Sequence, residues 1–120
     1  MHTPAPPEPL LVACLCAAWC GSCRDYRATF ESVAAAFPDA RFVWIDIEDE
    51  ADLVDPIEVD NFPTLLIAAQ GAPVFFGTLM PYRETLVRLV RTHADGDGDV
   101  SPALAGEDVQ ALATRLRARR

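Results

Sequence analysis

The sequence predicts an α/β fold, and three features carry that prediction. Leu10-Leu11-Val12-Ala13-Cys14-Leu15-Cys16-Ala17-Ala18 is an uncharged apolar run of the kind that forms a strand buried on both faces, as in parallel sheets. Shortly after it, Tyr26, Phe30, Ala34 and Phe37 recur at i, i+4, i+8 and i+11, one stripe of an α-helix that Pro38 brings to an end. Strand-patterned and helix-patterned segments then continue to alternate along the chain, which is the organisation of a layered α/β domain.

Taken in order, residues 1–9 form an extended lead, because Pro4, Pro6, Pro7 and Pro9 prevent regular backbone pairing. The domain spans 10–94. Its first strand runs to about Ala18, its first helix from about Ser22 to Phe37, and its second strand from Arg41 to Ile47. The acidic segment Glu48 to Asp60 should hold a short helix around Ala51 to Val54. Leu65–Ala69 and Pro73–Phe76 read as strands flanking Gln70-Gly71-Ala72, a hairpin turn. A helix from Tyr82 to about His93 should turn Leu86, Leu89 and Val90 inward. Residues 95–120 change character. Asp95-Gly96-Asp97-Gly98-Asp99 is a polar linker, followed by a helix from Glu107 to Arg119 with Val109, Leu112, Ala113 and Leu116 on one face.

Composition narrows the possible functions. At 120 residues and 51% hydrophobic, the chain is long enough to bury a core without disulfide staples. Its net charge of −8 argues against nucleic acid, and the cluster Arg115, Arg117, Arg119 and Arg120 suits the end of a helix dipole. The longest uncharged apolar run, Leu10 to Gly21, is too short to cross a bilayer, and Met1 to Pro9 lacks the basic start of an export signal. A cytoplasmic location without membrane association is expected. The alternating aspartates do not make a calcium loop: counted from Asp95, the sixth and twelfth positions are Val100 and Gly106, where glycine and glutamate are needed.

Between the first strand and the first helix stand Trp19-Cys20-Gly21-Ser22-Cys23. Two thiols at this spacing can close into a disulfide and reopen, and a strand-to-helix turn is the setting that thiol–disulfide exchange requires. The first helical turn has unpaired N–H groups and a partial positive charge, which favour a thiolate; C-x-x-C cysteines at helix starts titrate at about 3.5–7.5 against about 8.5 for a free thiol. Cys20 is therefore expected to attack and Cys23, one turn into the helix, to resolve.

Those residues, with Ala17 and Ala18 before them and Phe62-Pro63-Thr64-Leu65-Leu66-Ile67 later, resemble the thioredoxin-like family from Leu10 to about Leu89. The resemblance implies a four-stranded mixed sheet flanked by helices, here lacking the family's N-terminal strand-helix unit and carrying an extra C-terminal helix. It implies a cis peptide bond before Pro63 in a loop that faces the cysteines and pairs with an extended substrate, with Phe62 and Thr64 beside it. It also implies protein or small-molecule disulfides as substrates, a recycling reductase as partner, and no cofactor beyond a redox-active disulfide between Cys20 and Cys23. Trp19 is expected to form a lip against which substrate packs, and Gly21 to let the backbone turn tightly.

The sequence departs from the family in three places. Without the N-terminal unit, Arg41–Ile47 would lie at a sheet edge, so either the C-terminal helix covers that edge or two chains meet there as a homodimer. The carboxylate that the family often buries six positions before the first cysteine is replaced by Cys14, and its common lysine partner aligns with Trp44. Ser22 replaces the proline of reducing members, and its hydroxyl and N–H can both donate toward Cys20. Against that effect stand Asp46, Glu48, Asp49, Glu50, Asp52, Asp55, Glu58 and Asp60, of which Asp60 is expected to border the cleft and tune it electrostatically. Cys14 and Cys16 point to one face of their strand and read as small buried hydrophobes; an accessory disulfide from Cys16, or a metal site extended by it, is the alternative. The rival functions are a non-catalytic binding or assembly module and a cysteine metal-binding domain, and no metal is expected.

Overall fold

The apolar run after Leu10 forms the strand it predicts: β1 (Leu11–Cys16) has all six side chains buried. This computed structural model describes residues 10–17, 20–55, 57, 63–69, 72–94 and 107–118. After β1 come α1 (Gly21–Ala36), β2 (Arg41–Asp46), the short α2 (Ala51–Val54), β3 (Thr64–Ala69), β4 (Ala72–Thr78), α3 (Arg83–Ala94) and α4 (Glu107–Ala118). The expected lead over 1–9, the turn residues Gln70 and Gly71, and the linker over 95–106 lie outside the described residues.

The four strands form one mixed sheet in the order β2-β1-β3-β4. β1 and β2 are parallel, joined through α1, with Leu11 opposite Arg41 and Cys16 opposite Asp46. β3 lies antiparallel to β1, and β4 antiparallel to β3 with a register shift between Ile67 and Ala68. That irregularity and the position of β4 at a sheet edge accommodate Pro73, which could not donate to an interior ladder.

Alternation along β1 divides the core into two layers. Val12, Cys14 and Cys16 join Leu65 and Ile67 of β3 on one face, under Cys23, Tyr26, Phe30 and Val33 of α1 and Leu86 and Val90 of α3. Leu11, Ala13 and Leu15 join Ile45, Leu66 and Ala68 on the other, under Leu112, Ala113 and Leu116 of α4 and Val54 of α2. The buried stripe of α1 is centred one position from the expected one: Val33 is fully buried while Ala34 is half-buried, and Phe37 follows the helix as its C-cap, with its N–H donating to the Ala34 carbonyl at 3.2 Å.

The C-terminal helix does not cover the β2 edge as expected. Its stripe needs a broad apolar surface, and an edge strand offers mainly unpaired backbone groups. α4 instead lies on the second sheet face and reaches β2 through Arg41, whose Nη1 donates to the Leu116 carbonyl at 2.8 Å. Arg115 Nη1 donates to the carbonyls of Leu53 (3.0 Å) and Asp55 (2.8 Å), placing a cation where α2 ends and its carbonyls need donors. Among the described residues no helix is long and apolar enough to cross a membrane.

Candidate functional site

The sheet register gathers the predicted motifs at one end of the molecule. β1 ends there at Cys16; Leu15 is paired with Thr64, the first residue of β3, and Thr64 with Thr78, the last of β4. The Leu79 N–H donates to the Pro63 carbonyl at 3.2 Å, so the loop after β4 starts beside the buried Pro63. Met80 in that loop and Tyr82 after it are the exposed large apolar side chains among the described residues, at 59% and 57%. Neither was singled out in the sequence; apolar residues on both sides of Pro81, between a strand and a helix, were the available signal.

Cys20 is the N-cap of α1. Its backbone is extended, with φ −85° and ψ 120°, and its carbonyl accepts the first helical bond, from the Arg24 N–H at 3.2 Å. Its own N–H donates to the Ala17 carbonyl at 3.0 Å, which closes the turn out of β1. The side chain makes no capping bond, and the residue is half-buried. Gly21 is an ordinary first helical residue, not the tight-turn residue expected. The strand-to-helix change is made at Cys20, and a Cβ at Gly21 would meet only the Arg24 guanidinium, at 3.8 Å. The Arg24 guanidinium therefore lies beside the cysteine motif, a placement that helical i, i+3 spacing from Gly21 makes available. Ser22 is exposed in the first turn. Trp19, Asp60 and Phe62 lie outside the described residues.

The cysteine pairing differs from the expected one. Cys23 is bonded to Cys16, and Cys20 and Cys14 are free. The physical reason lies in direction: Cys23 begins the inward stripe of α1, and Cys16 projects from β1 onto that same face, with a Cα–Cα distance of 5.7 Å that falls in the ordinary disulfide range. Both residues are 1% exposed. The accessory disulfide raised as an alternative for Cys16 is thus the one present, whereas Cys14 keeps the role of a small buried hydrophobe. Its thiol donates to Cys16 Sγ at 3.8 Å, and burial pushes it well above its ordinary titration range.

Among the described residues, the sulfurs of Cys14, Cys16 and Cys23 lie in an apolar layer. Cys14 is paired with Trp44 across β1 and β2, so the two positions where the resemblance implied a carboxylate and a lysine are neighbours occupied by a thiol and an indole. Among the described residues Thr64 is the one buried polar or charged residue. Trp44 packs edge-on against Phe30 at 5.7 Å, and the Arg27 guanidinium lies 5.5 Å over its ring. The Tyr26 hydroxyl is buried without a hydrogen-bond partner, and burial, then the neighbouring Cys14, raise its titration above the ordinary tyrosine range. Of the acidic run, Glu48, Asp49, Asp52 and Asp55 are exposed, and Asp46 Oδ1 accepts from the Glu48 and Asp49 N–H groups, at 2.9 and 3.2 Å. No group of three or more His, Cys, Asp or Glu among the described residues is arranged to hold a metal ion.

A mixed sheet with a half-buried thiol at a strand-to-helix junction and a proline loop at the same end of the sheet defines a thioredoxin-like α/β protein. The family model described as Thioredoxin matches residues 5–90, and the chain belongs to that family. Among curated relatives, it is 33% identical over 55 residues to a thioredoxin of Mycoplasma genitalium, covering 46% of this chain and 54% of that one. It is 34% identical over 59 residues to a putative thioredoxin 2 of Streptomyces coelicolor, covering 49% and 44%. The chain thus spans about half the length of the curated relatives it matches. Among solved structures, the thioredoxin of Trypanosoma brucei brucei superposes with a TM-score of 0.64 at 26% identity, covering 73% of this chain and 77% of that one. Thioredoxin NaTrxh from Nicotiana alata does so at 0.64 and 27%, covering 72% and 74%.

Proposed function

We propose that the chain is a thiol–disulfide oxidoreductase acting on protein or small-molecule disulfides. The observation that carries this reading is the placement of Cys20 at the N-cap of α1, half-buried, with Cys23 one turn behind it and fully buried. In the reduced protein, Cys20 attacks one sulfur of a substrate disulfide. A mixed disulfide forms, and the other substrate sulfur leaves as a thiolate. Cys23 then attacks Cys20 Sγ, the Cys20–Cys23 bond forms, and the second substrate thiolate leaves. The substrate has gained two electrons that the dithiol has lost, and a reductase must return them. Pro63 and Met80 stand at the same end of the sheet as Cys16 and supply an apolar wall for an extended substrate. The electrons reside on the sulfurs, so this chemistry asks for no organic cofactor, and a reducing compartment such as the cytoplasm suits a dithiol that must be kept reduced.

The test is insulin reduction by the reduced protein, alongside Cys20→Ser and Cys23→Ser. Loss of turnover in both variants, with partners trapped as reductant-releasable adducts on the Cys23→Ser protein, is the expected result. A binding module would retain its partners after Cys20→Ser, and a metal-binding domain would lose stoichiometric metal on the same change; either outcome removes the enzyme reading.

A further inference from the structure

A two-cysteine cycle leaves the bond between Cys16 and Cys23 unexplained. We infer that Cys16 is a third redox-active cysteine, which exchanges with Cys20 for Cys23 and so switches the site between a dithiol and a monothiol form. The inference rests on the proposed role of Cys20 and adds a step after its oxidation. Once Cys20 and Cys23 are bonded, the Cys16 thiolate attacks Cys23 Sγ. The Cys16–Cys23 bond forms, the Cys20–Cys23 bond breaks, and the electron pair leaves on Cys20, which gains the proton that Cys16 gave up. One disulfide is consumed and one is formed, so no oxidant or reductant is required.

Three observations support the exchange. Cys16 reaches Cys23, since the two are bonded across the same sheet face. With Cys14 free in both, either arrangement leaves one of Cys16 and Cys20 unbonded, and the two differ sharply in surroundings. An unbonded Cys16 would be a thiol at 1% exposure among Val12, Leu65 and Tyr26, whereas an unbonded Cys20 sits only half-buried, at a helix start. An uncharged disulfide suits the apolar layer better than a thiol that must ionise to react. Finally, the Cys14 thiol, 3.8 Å away, donates to the Cys16 sulfur.

The consequence concerns release of product. With Cys23 held by Cys16, a substrate captured on Cys20 has no internal thiol to displace it, and the mixed disulfide persists until an external thiol arrives. With Cys23 free, the same adduct resolves within the chain.

Disulfide mapping of the intact chain tests this directly. The protein is oxidised with diamide, alkylated in its native state and digested with chymotrypsin, which cuts after Trp19 and Tyr26 and so separates Cys16 from the peptide holding Cys20 and Cys23. The expected product is a cross-link between the two peptides with Cys20 alkylated; in Cys16→Ala, or in Cys16→Ser if the alanine variant does not fold, alkylation of Cys20 is lost because Cys20 and Cys23 close on each other. Oxidised wild-type protein that carries only the Cys20–Cys23 bond, with Cys20 unlabelled, overturns the switch. Insulin reduction by the reduced wild-type protein separates the two ideas: turnover with only Cys20–Cys23 on oxidation removes the switch and keeps the oxidoreductase, while absence of turnover removes both.

Discussion

The two faces of the sheet bury comparable numbers of side chains from the same strands, yet their chemistry is different. The face under α1 and α3 holds Cys14, Cys16 and Cys23, the tilted and edge-on rings of Tyr26, Phe30, Phe42 and Trp44, and a hydroxyl with no partner among the described residues. The face under α4 is aliphatic apart from the half-buried Phe76. A two-residue alternation on β1 and β3 makes the division, with Cys14, Cys16, Leu65 and Ile67 on one face and Leu11, Ala13, Leu15, Leu66 and Ala68 on the other. One face is reactive and carries a polar defect, and the other contributes only burial. Both layers bury large apolar side chains, and the cysteines are confined to the one beneath α1.

The most severe way to break this division is to remove the aliphatic lid. A chain truncated after Ala94 loses Leu112, Ala113 and Leu116 and uncovers Leu11, Leu15, Ile45 and Leu66. At about 1.5–3 kcal/mol for each large aliphatic side chain, the loss exceeds ~5 kcal/mol, of the order of the whole stability of a small domain. Urea unfolding followed by circular dichroism should show no cooperative transition. The single change Leu116→Ala samples the same layer more gently, with an expected cost of about 2–5 kcal/mol and no change in disulfide pairing.

Alkaline titration sharpens the contrast from the other side. Cys14 and Tyr26 hold their protons in the folded chain above their ordinary values of 9.0 and 10.0, whereas the unfolded chain releases them. Stability from these two groups is therefore complete below pH 9.0 and is lost as pH rises, first through Cys14 and then through Tyr26, at about 1.4 kcal/mol per pH unit for each. Cys14→Ala should abolish the first part of the decline in urea midpoints measured between neutrality and the alkaline limb; an unchanged slope would place the sensitivity elsewhere. Smallest is the effect of Tyr26→Phe, which removes a buried hydroxyl that bonds to nothing. It should raise stability by about 1 kcal/mol, a gain where most core substitutions lose.

Much of this arrangement can be read from residues alone, and the limits of that reading have identifiable causes. Helix α2 has the bounds expected for it, and β2, α3 and α4 differ from theirs by about one residue at an end, because apolar periodicity and Pro38 act locally. The stripe Val109, Leu112, Ala113 and Leu116 marks α4 as amphipathic but leaves open whether it docks and on which surface, since that depends on which sheet face α1 and α3 have already covered. The sulfur pairing was harder still. Cys20 and Cys23 are neighbours in sequence, but Cys16 and Cys23 become neighbours only when β1 ends and α1 begins at a particular angle, a relation set by the turn after Ala17 and invisible to spacing. The turn expected of Gly21 failed for a related reason: the backbone changes direction at Cys20, one residue earlier.

The side-chain bonds from Arg41 and Arg115 fasten the last helix to elements formed some sixty or more positions before it. During synthesis, Leu11, Ala13 and Leu15 emerge from the ribosome long before the segment that shields them. Completion of this domain consequently waits for its most distal described helix, and until α4 has left the exit tunnel the nascent chain presents a bare aliphatic surface of the sort that chaperones bind.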